Sequence, residues 1–300
     1  MLKALLPTTV DARVRVLAIA TLVVQVLIIA TGGAVRLTGS GLGCPTWPLC
    51  TDASLVATPE MGIHGAIEFG NRLLSIIVGI VAVLLVVALL RLRQRRDLFV
   101  PAVLILALTV LQGFIGGISV RVRLDPSVVG VHFAISVVLV VLASVVVYRA
   151  YFGRRGERVV SGWLVPLVHV TSLFVAITIV VGILTTGSGP HAGDAATDRN
   201  GLDSQLMQHV HSWPAYATVA LTLVVVVGAI RSGRAILRNS AITLLAIEVV
   251  QVAVGIVQSR LGLPPLLVGI HMVLAALLAA AMAWVILSLR RSEIKRDEPA

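Results

Sequence analysis

Eight apolar runs of about twenty residues dominate this chain, and a polypeptide carrying that many can hide them only as a bundle of membrane-crossing helices. The runs lie at 14–35, 62–90, 98–119, 127–149, 162–186, 205–230, 239–259 and 265–289. A helix needs about 20 residues to cross roughly 30 Å of hydrocarbon, where every backbone polar group must be satisfied internally. Hydrophobic residues make up 58% of the 300 and charged residues 13%, outside the range of a water-soluble domain. Arg13 and Arg15 precede the first run as they would in a signal peptide. Its apolar stretch is longer than a signal's, however, and no small-residue cleavage site follows, so it reads as a retained helix.

The net charge of +10 would suit a nucleic-acid surface, but the positions of the basic residues exclude that reading. Eighteen of the 24 lie at the N-terminus, in 91–96, 149–158 and 231–238, and in the tail 290–296. These are the termini and alternate loops, so the excess orients the chain with both ends cytoplasmic. The expected fold is an all-α integral membrane protein, multi-pass in the cell membrane. Its two cysteines, Cys44 and Cys50, fall in the first external loop, GSGLGCPTWPLC. An oxidising exterior favours a disulfide there, either as a staple or as a redox-active pair.

An internal repeat divides the spans into two sets of four. His132 in VVGVHFAIS and His271 in LLVGIHMVLA are 139 residues apart, as are Gln112 and Gln251, and TGSG occurs at Thr38–Gly41 and Thr186–Gly189. The reading is two tandem four-helix halves, residues 1–155 and 156–300. In that topology the even-numbered helices enter from outside. His64, His132, His211 and His271 then share a layer roughly 5 to 10 Å below the outer surface. An offset of 140 aligns the second and sixth helices, pairing Glu68 with Gln208 and Asn71 with His211. The C-terminal pocket therefore has two histidines, and the N-terminal pocket has His132 against an asparagine.

Imidazoles on two facing helices can supply both axial ligands of a haem iron, an arrangement that favours electron transfer. His211 and His271 are the candidate pair. His209, two residues from His211, points about 200° away and reads as a bystander. His64, Glu68, Asn71 and Arg72 lie on one helical face. Glu68 is expensive to bury alone. It either pairs with Arg72 at i+4 or handles protons and positions a water beside a bound ligand. His169 reads as structural, and His191 in GSGPHAGD either touches a porphyrin propionate or is solvated. Gln112 and Gln251 are expected to bridge helices within their own halves.

The cysteine loop, the IEFGNR stretch at Ile67–Arg72, VHF around His132, QHVH at Gln208–His211 and His271 together resemble the haem A synthase family over essentially the full length. The resemblance implies haem b as cofactor, ligated by His211 and His271 in the C-terminal half. It also implies haem O as substrate in the N-terminal half, with Glu68 catalytic, and oxidation of the C8 methyl group of haem O to a formyl with oxygen from water. The family's Glu-x-x-His-Arg reads Glu68, Phe69, Gly70, Asn71, Arg72 here. The missing histidine leaves His132 as a single iron ligand, with His64 as the candidate replacement and Asn71 and Arg72 beside the substrate. The loop after the fifth helix lacks the family's second cysteine pair. Haem O synthase, cytochrome oxidase assembly factors, membrane lipid and a second copy of the chain are the candidate partners.

Two other classes compete. A non-catalytic dihaem cytochrome b type carrier would share the histidines but has no need of Glu68. A transporter would use repeats and polar midplane residues, but these histidines cluster near one face.

Overall fold

A computed structural model of the chain describes residues 6–160 and 162–293. Among these residues eight helices are long and apolar enough to cross a membrane: α1 (Ala12–Leu37), α2 (Gly62–Ala88), α3 (Arg96–Arg121), α4 (Pro126–Phe152), α5 (Leu164–Ser188), α6 (Ser204–Arg231), α7 (Ala235–Arg260) and α8 (Pro265–Ser288). The protein is a multi-pass membrane protein, and each helix end falls within four residues of the end of its apolar run. Side-chain caps set several starts. Asp11 accepts from Val14 N on α1, Asp125 from Ser127 N and Val128 N on α4, and Asp203 from Leu206 N on α6. Pro126 and Pro265 occupy first-turn positions, where no amide donor is missed.

α1, α2, α3 and α4 pack in a closed ring, each against the next and α4 back on α1; α5 to α8 do the same. The rings meet where α4 and α8 pack together, flanked by α1 against α8 and α4 against α5. Small residues of α8, Ala276, Ala279 and Ala280, seat Ile29, Val137 and Val140 at that seam, as close helix approach in a membrane requires. Trp284 Nε1 donates to the Ser144 carbonyl across it at 3.1 Å. After α4 and α8 the chain forms a short antiparallel pair, β1 (Arg154–Arg158) with β2 (Arg290–Glu293), so these two helices end on the same side.

Each ring is packed at one end only. The buried apolar cluster of the first ring draws Val14 and Ala18 from the start of α1, Leu85 from the end of α2, Leu98 and Ile105 from the start of α3 and Val146 from the end of α4. The second ring's cluster likewise uses Val168, Val225, Leu244 and Val285. Both fill the end at which α1 starts and α8 finishes. No such cluster of described residues fills the opposite end, where the α1–α2, α3–α4, α5–α6 and α7–α8 loops lie.

Positions 139 apart also share backbone geometry. Arg123 and Leu124 (φ 51 and 63) match Gly262 and Leu263 (φ 74 and 63). Leu124 N donates to Ser119 O at 2.7 Å and Leu263 N to Gln258 O at 2.8 Å. Each left-handed pair folds the chain back between two antiparallel helices without leaving the last carbonyls unsatisfied.

Candidate functional site

In the second ring, His211 near the start of α6 faces His271 near the start of α8, with ring centroids 6.2 Å apart and planes crossed at 75°. Nδ1 of each ring is buried outside good hydrogen-bond geometry, with one backbone carbonyl beside the ring, that of Thr178 for His211 and that of Gln251 for His271, a contact that orients an imidazole and leaves its other nitrogen for a ligand. Metal–imidazole bonds are about 2 Å long, so two rings on opposite sides of one iron have centroids roughly 6 Å apart. The pair therefore fits a bis-histidine iron. α7 holds the layer, because Gln251 Nε2 donates to the His271 carbonyl at 3.1 Å. Two glycines clear space at the rings. A Cβ at Gly182 on α5 would lie 2.9 Å from His211 Cε1, and one at Gly255 on α7 would lie 3.1 Å from His271 Cε1. His209 is exposed and takes no part.

The first ring repeats part of this layer. Gln112 Nε2 donates to the His132 carbonyl at 2.8 Å and to Ser136 Oγ at 2.6 Å. Gly116 faces His132 Cε1 at 3.5 Å from its built Cβ, and Gly116 and Gly255 are again 139 apart. His132 Nδ1 is likewise buried outside good hydrogen-bond geometry. Among the described residues, however, no second imidazole pairs with the His132 ring. Asn71 is turned to α1, accepting at Oδ1 from Thr31 Oγ1 at 2.7 Å. His64 is exposed, and its Nδ1 shares a hydrogen bond with Ser40 Oγ at 2.9 Å. Ser40 belongs to the first TGSG copy, so that motif holds the start of α2.

Glu68, 5% exposed, is fully engaged. Arg72 Nη2 donates to its Oε1 and the backbone N–H of Cys44 to its Oε2, both at 2.6 Å. Arg72 also donates to the carbonyls of Cys44, Thr46 and Leu49 at 3.0–3.1 Å. The Cys44–Cys50 disulfide closes the loop so held. On its far side Trp47 lies against Phe114, with centroids 6.2 Å apart, under the Arg121 guanidinium. Trp47 occupies the space beside Gly117 that a side chain there would need, one residue from the glycine facing His132. The loop thus spans from α2 to α3 over the His132 layer. The Glu68–Arg72 pair expected from i+4 spacing forms, and its function in the fold is to hold this loop.

The remaining histidines separate cleanly. His191 Nε2 hydrogen-bonds the Leu263 carbonyl at 2.8 Å, and its own carbonyl accepts from Arg36 Nε at 2.7 Å, tying the α5–α6 loop over the starts and ends of its neighbours. His169 is exposed on α5.

One further polar layer lies beneath the histidines. Gln25 Nε2 donates to Thr109 Oγ1 at 3.3 Å in the first ring, and Thr222 Oγ1 to Glu248 Oε1 at 2.8 Å in the second. The signal was present as an acidic residue in the apolar AIEVVQ, where an ionisable group is rare.

Segments of the chain resemble haem A synthases of Exiguobacterium sp. strain AT1b (28% identity over 53% of this chain and 52% of that protein), Alkalihalophilus pseudofirmus (29%, over 41% and 42%) and Exiguobacterium sibiricum (26%, over 53% and 54%). The matches cover about half the length of these relatives. The model of the COX15-CtaA family, cytochrome oxidase assembly proteins, matches residues 15–283. That match reaches into all eight helices and takes in every residue of the two histidine layers, and the chain belongs to the cytochrome oxidase assembly protein family.

Proposed function

We propose that the chain is a haem A synthase, an oxidoreductase that converts the C8 methyl group of haem O to a formyl. One methyl and one water give one formyl, four protons and four electrons. The observation that carries the reading is the unlike equipment of two matched layers. One has two imidazoles facing each other at iron-bridging distance, and the other has a lone imidazole in a ring that also carries a buried carboxylate. In this reading residues 156–300 hold haem b through His211 and His271, and residues 1–155 receive haem O. A haem b so held supplies a one-electron carrier.

His132 holds the substrate iron, with His64 and Asn71 at the positions from which a second ligand would come. Glu68 orients the attacking water and accepts a proton. Each of its oxygens already accepts one hydrogen bond, and a carboxylate has about four acceptor sites in all, so one site on each oxygen stays available. Arg72 and the Cys44–Cys50 loop fix the carboxylate and keep bulk water off it. The pockets open toward the external face of the cell membrane with both termini cytoplasmic, as the distribution of arginines supports. Haem O synthase and oxidase assembly factors are the candidate donors and acceptors of the haems.

A second reading, a dihaem electron carrier, draws on the structural role of Glu68, since a residue that latches a loop needs no chemistry. Extraction and chromatography of haems from cells with and without the chain separate the two. Haem A formed only in its presence is the expected result, and haem O unchanged in both would leave the carrier.

The glycine clearance gives a further expected result. Gly182→Ala sets a methyl group against the His211 ring, and overpacking of this kind costs about 1–3 kcal/mol. Haem b retention by purified protein should weaken by roughly tenfold or more. Gly79→Ala, where nothing lies within 4 Å of a built Cβ, should leave retention unchanged.

A further inference from the structure

Glu248 is the most deeply buried carboxyl among the described residues, 2% exposed, and the proposed chemistry does not use it. It stands on α7 one turn above Leu244 of the buried apolar cluster and one turn below Gln251, which bonds the His271 carbonyl. It therefore floors the second ring's histidine layer. Its Oε1 accepts from Thr222 Oγ1 at 2.8 Å, and its Oε2 is buried with no partner. The matching position in the first ring, 139 residues earlier, is Thr109, which cannot ionise.

No counter-charge within the ring answers this carboxyl. α7 packs against α6 and α8. The ionisable or basic side chains on α6 are His209, His211, Tyr216 and Arg231, and α8 between Pro265 and Ser288 carries only His271. His209, Tyr216 and Arg231 are exposed, as are Arg238 and Arg260 on α7 itself. Only the two facing imidazoles remain inside. Thr222 is eleven residues from His211, roughly 16 Å along α6. At that range, with an effective dielectric near 20, one unit of charge changes another's energy by about 1 kcal/mol.

We propose that Glu248 is the proton-accepting partner of the redox group held by His211 and His271, a role that rests on the haem b reading above. Were haem b held by His211 and His271, its reduction by an external one-electron donor would remove one positive charge from the layer and raise the proton affinity of Glu248. One proton from water, entering through the histidine end because packed apolar side chains fill the other, then binds the carboxylate to give the acid. Oxidation reverses both steps. The ferric group is the counter-charge that ring two otherwise lacks, and the acid replaces it when that charge is lost.

The test is a potentiometric titration of purified haem-loaded protein across the neutral pH range, with redox-difference infrared spectra. The wild-type midpoint potential should fall as pH rises, by about 40 mV in all, the one-electron equivalent of a coupling of about 1 kcal/mol, and everywhere by less than 59 mV for each tenfold change in proton activity. A carboxylic acid C=O band should appear on reduction. In Glu248→Gln the slope should flatten and the band vanish, whereas Glu68→Gln should keep both. Thr222→Val, which leaves the carboxyl in place, should shift the band without removing it and report on the site if Glu248→Gln fails to fold. A wild-type slope and band retained by Glu248→Gln, or a band unmoved by Thr222→Val, would overturn the proposal while leaving the haem reading intact. Bound haem whose spectrum ignores loss of His211 would instead overturn the reading beneath it.

Discussion

Replacing either His211 or His271 with alanine is expected to abolish most of the low-spin haem b absorbance of the purified protein. The two rings face one another across 6.2 Å, and among the described residues no cluster of three or more histidine, cysteine or acidic side chains forms another metal site. Losing one imidazole leaves a five-coordinate iron, which is high-spin and open to added ligands, so the loss should be read as a change in spectrum as well as in haem content. His209→Ala provides the control. It is two residues away, exposed, and should leave the spectrum unchanged. A low-spin spectrum that survives in either alanine variant would remove the pair from its assigned role.

Glu68→Gln should lower the yield of haem A by roughly a hundredfold or more, the usual range for loss of a positioned acid–base group, while haem b stays bound and haem O accumulates. The substitution is nearly isosteric, but its amide can accept from only one of the two donors that now converge on the carboxylate, Arg72 and the Cys44 amide. The other donor would face a second donor. Loop displacement and lost chemistry are therefore separated by adding Arg72→Lys, which keeps the charge and gives up the multiple carbonyl contacts. Arg72→Lys with near-normal yield beside an inactive Glu68→Gln would assign the defect to the carboxylate. Equal losses in both would assign it to the loop, and a normal haem A yield in Glu68→Gln would reduce Glu68 to a latch.

The parts of this structure legible in the sequence are those governed by short-range pattern. Twenty-residue apolar runs become helices because the bilayer leaves the backbone no alternative, and the i+4 spacing of Glu68 and Arg72 brings them together on any helix. The glutamines were readable as bridges for the same reason: an amide in an apolar span must find a partner. What the sequence left unread depends on which helix neighbours which. Nothing in GSGLGCPTWPLC announces that Trp47 lies against Gly117, or that Cys44 N–H is the second donor to Glu68. Gly182 reads as one small residue among 26 glycines until α5 packs beside His211. Asn71 was marked as the odd member of a repeat, but its bond to Thr31 needed the packing of α1 on α2. Glu248 was visible as a charge in an apolar run and went unused because no motif surrounds it.

The one-sided packing of the two rings makes each an electrical insulator over half its length. Beside the apolar clusters that fill those ends, the buried hydroxyls of Thr21, Ser144, Thr171 and Ser288 each bond a carbonyl of their own helix and not one another. On the proposed function, protons released or taken up at the histidine layers would therefore enter and leave by the end at which those layers lie. Turnover would then move no protons from one aqueous compartment to the other, and membrane potential would act on this protein only through whatever electrons cross the plug.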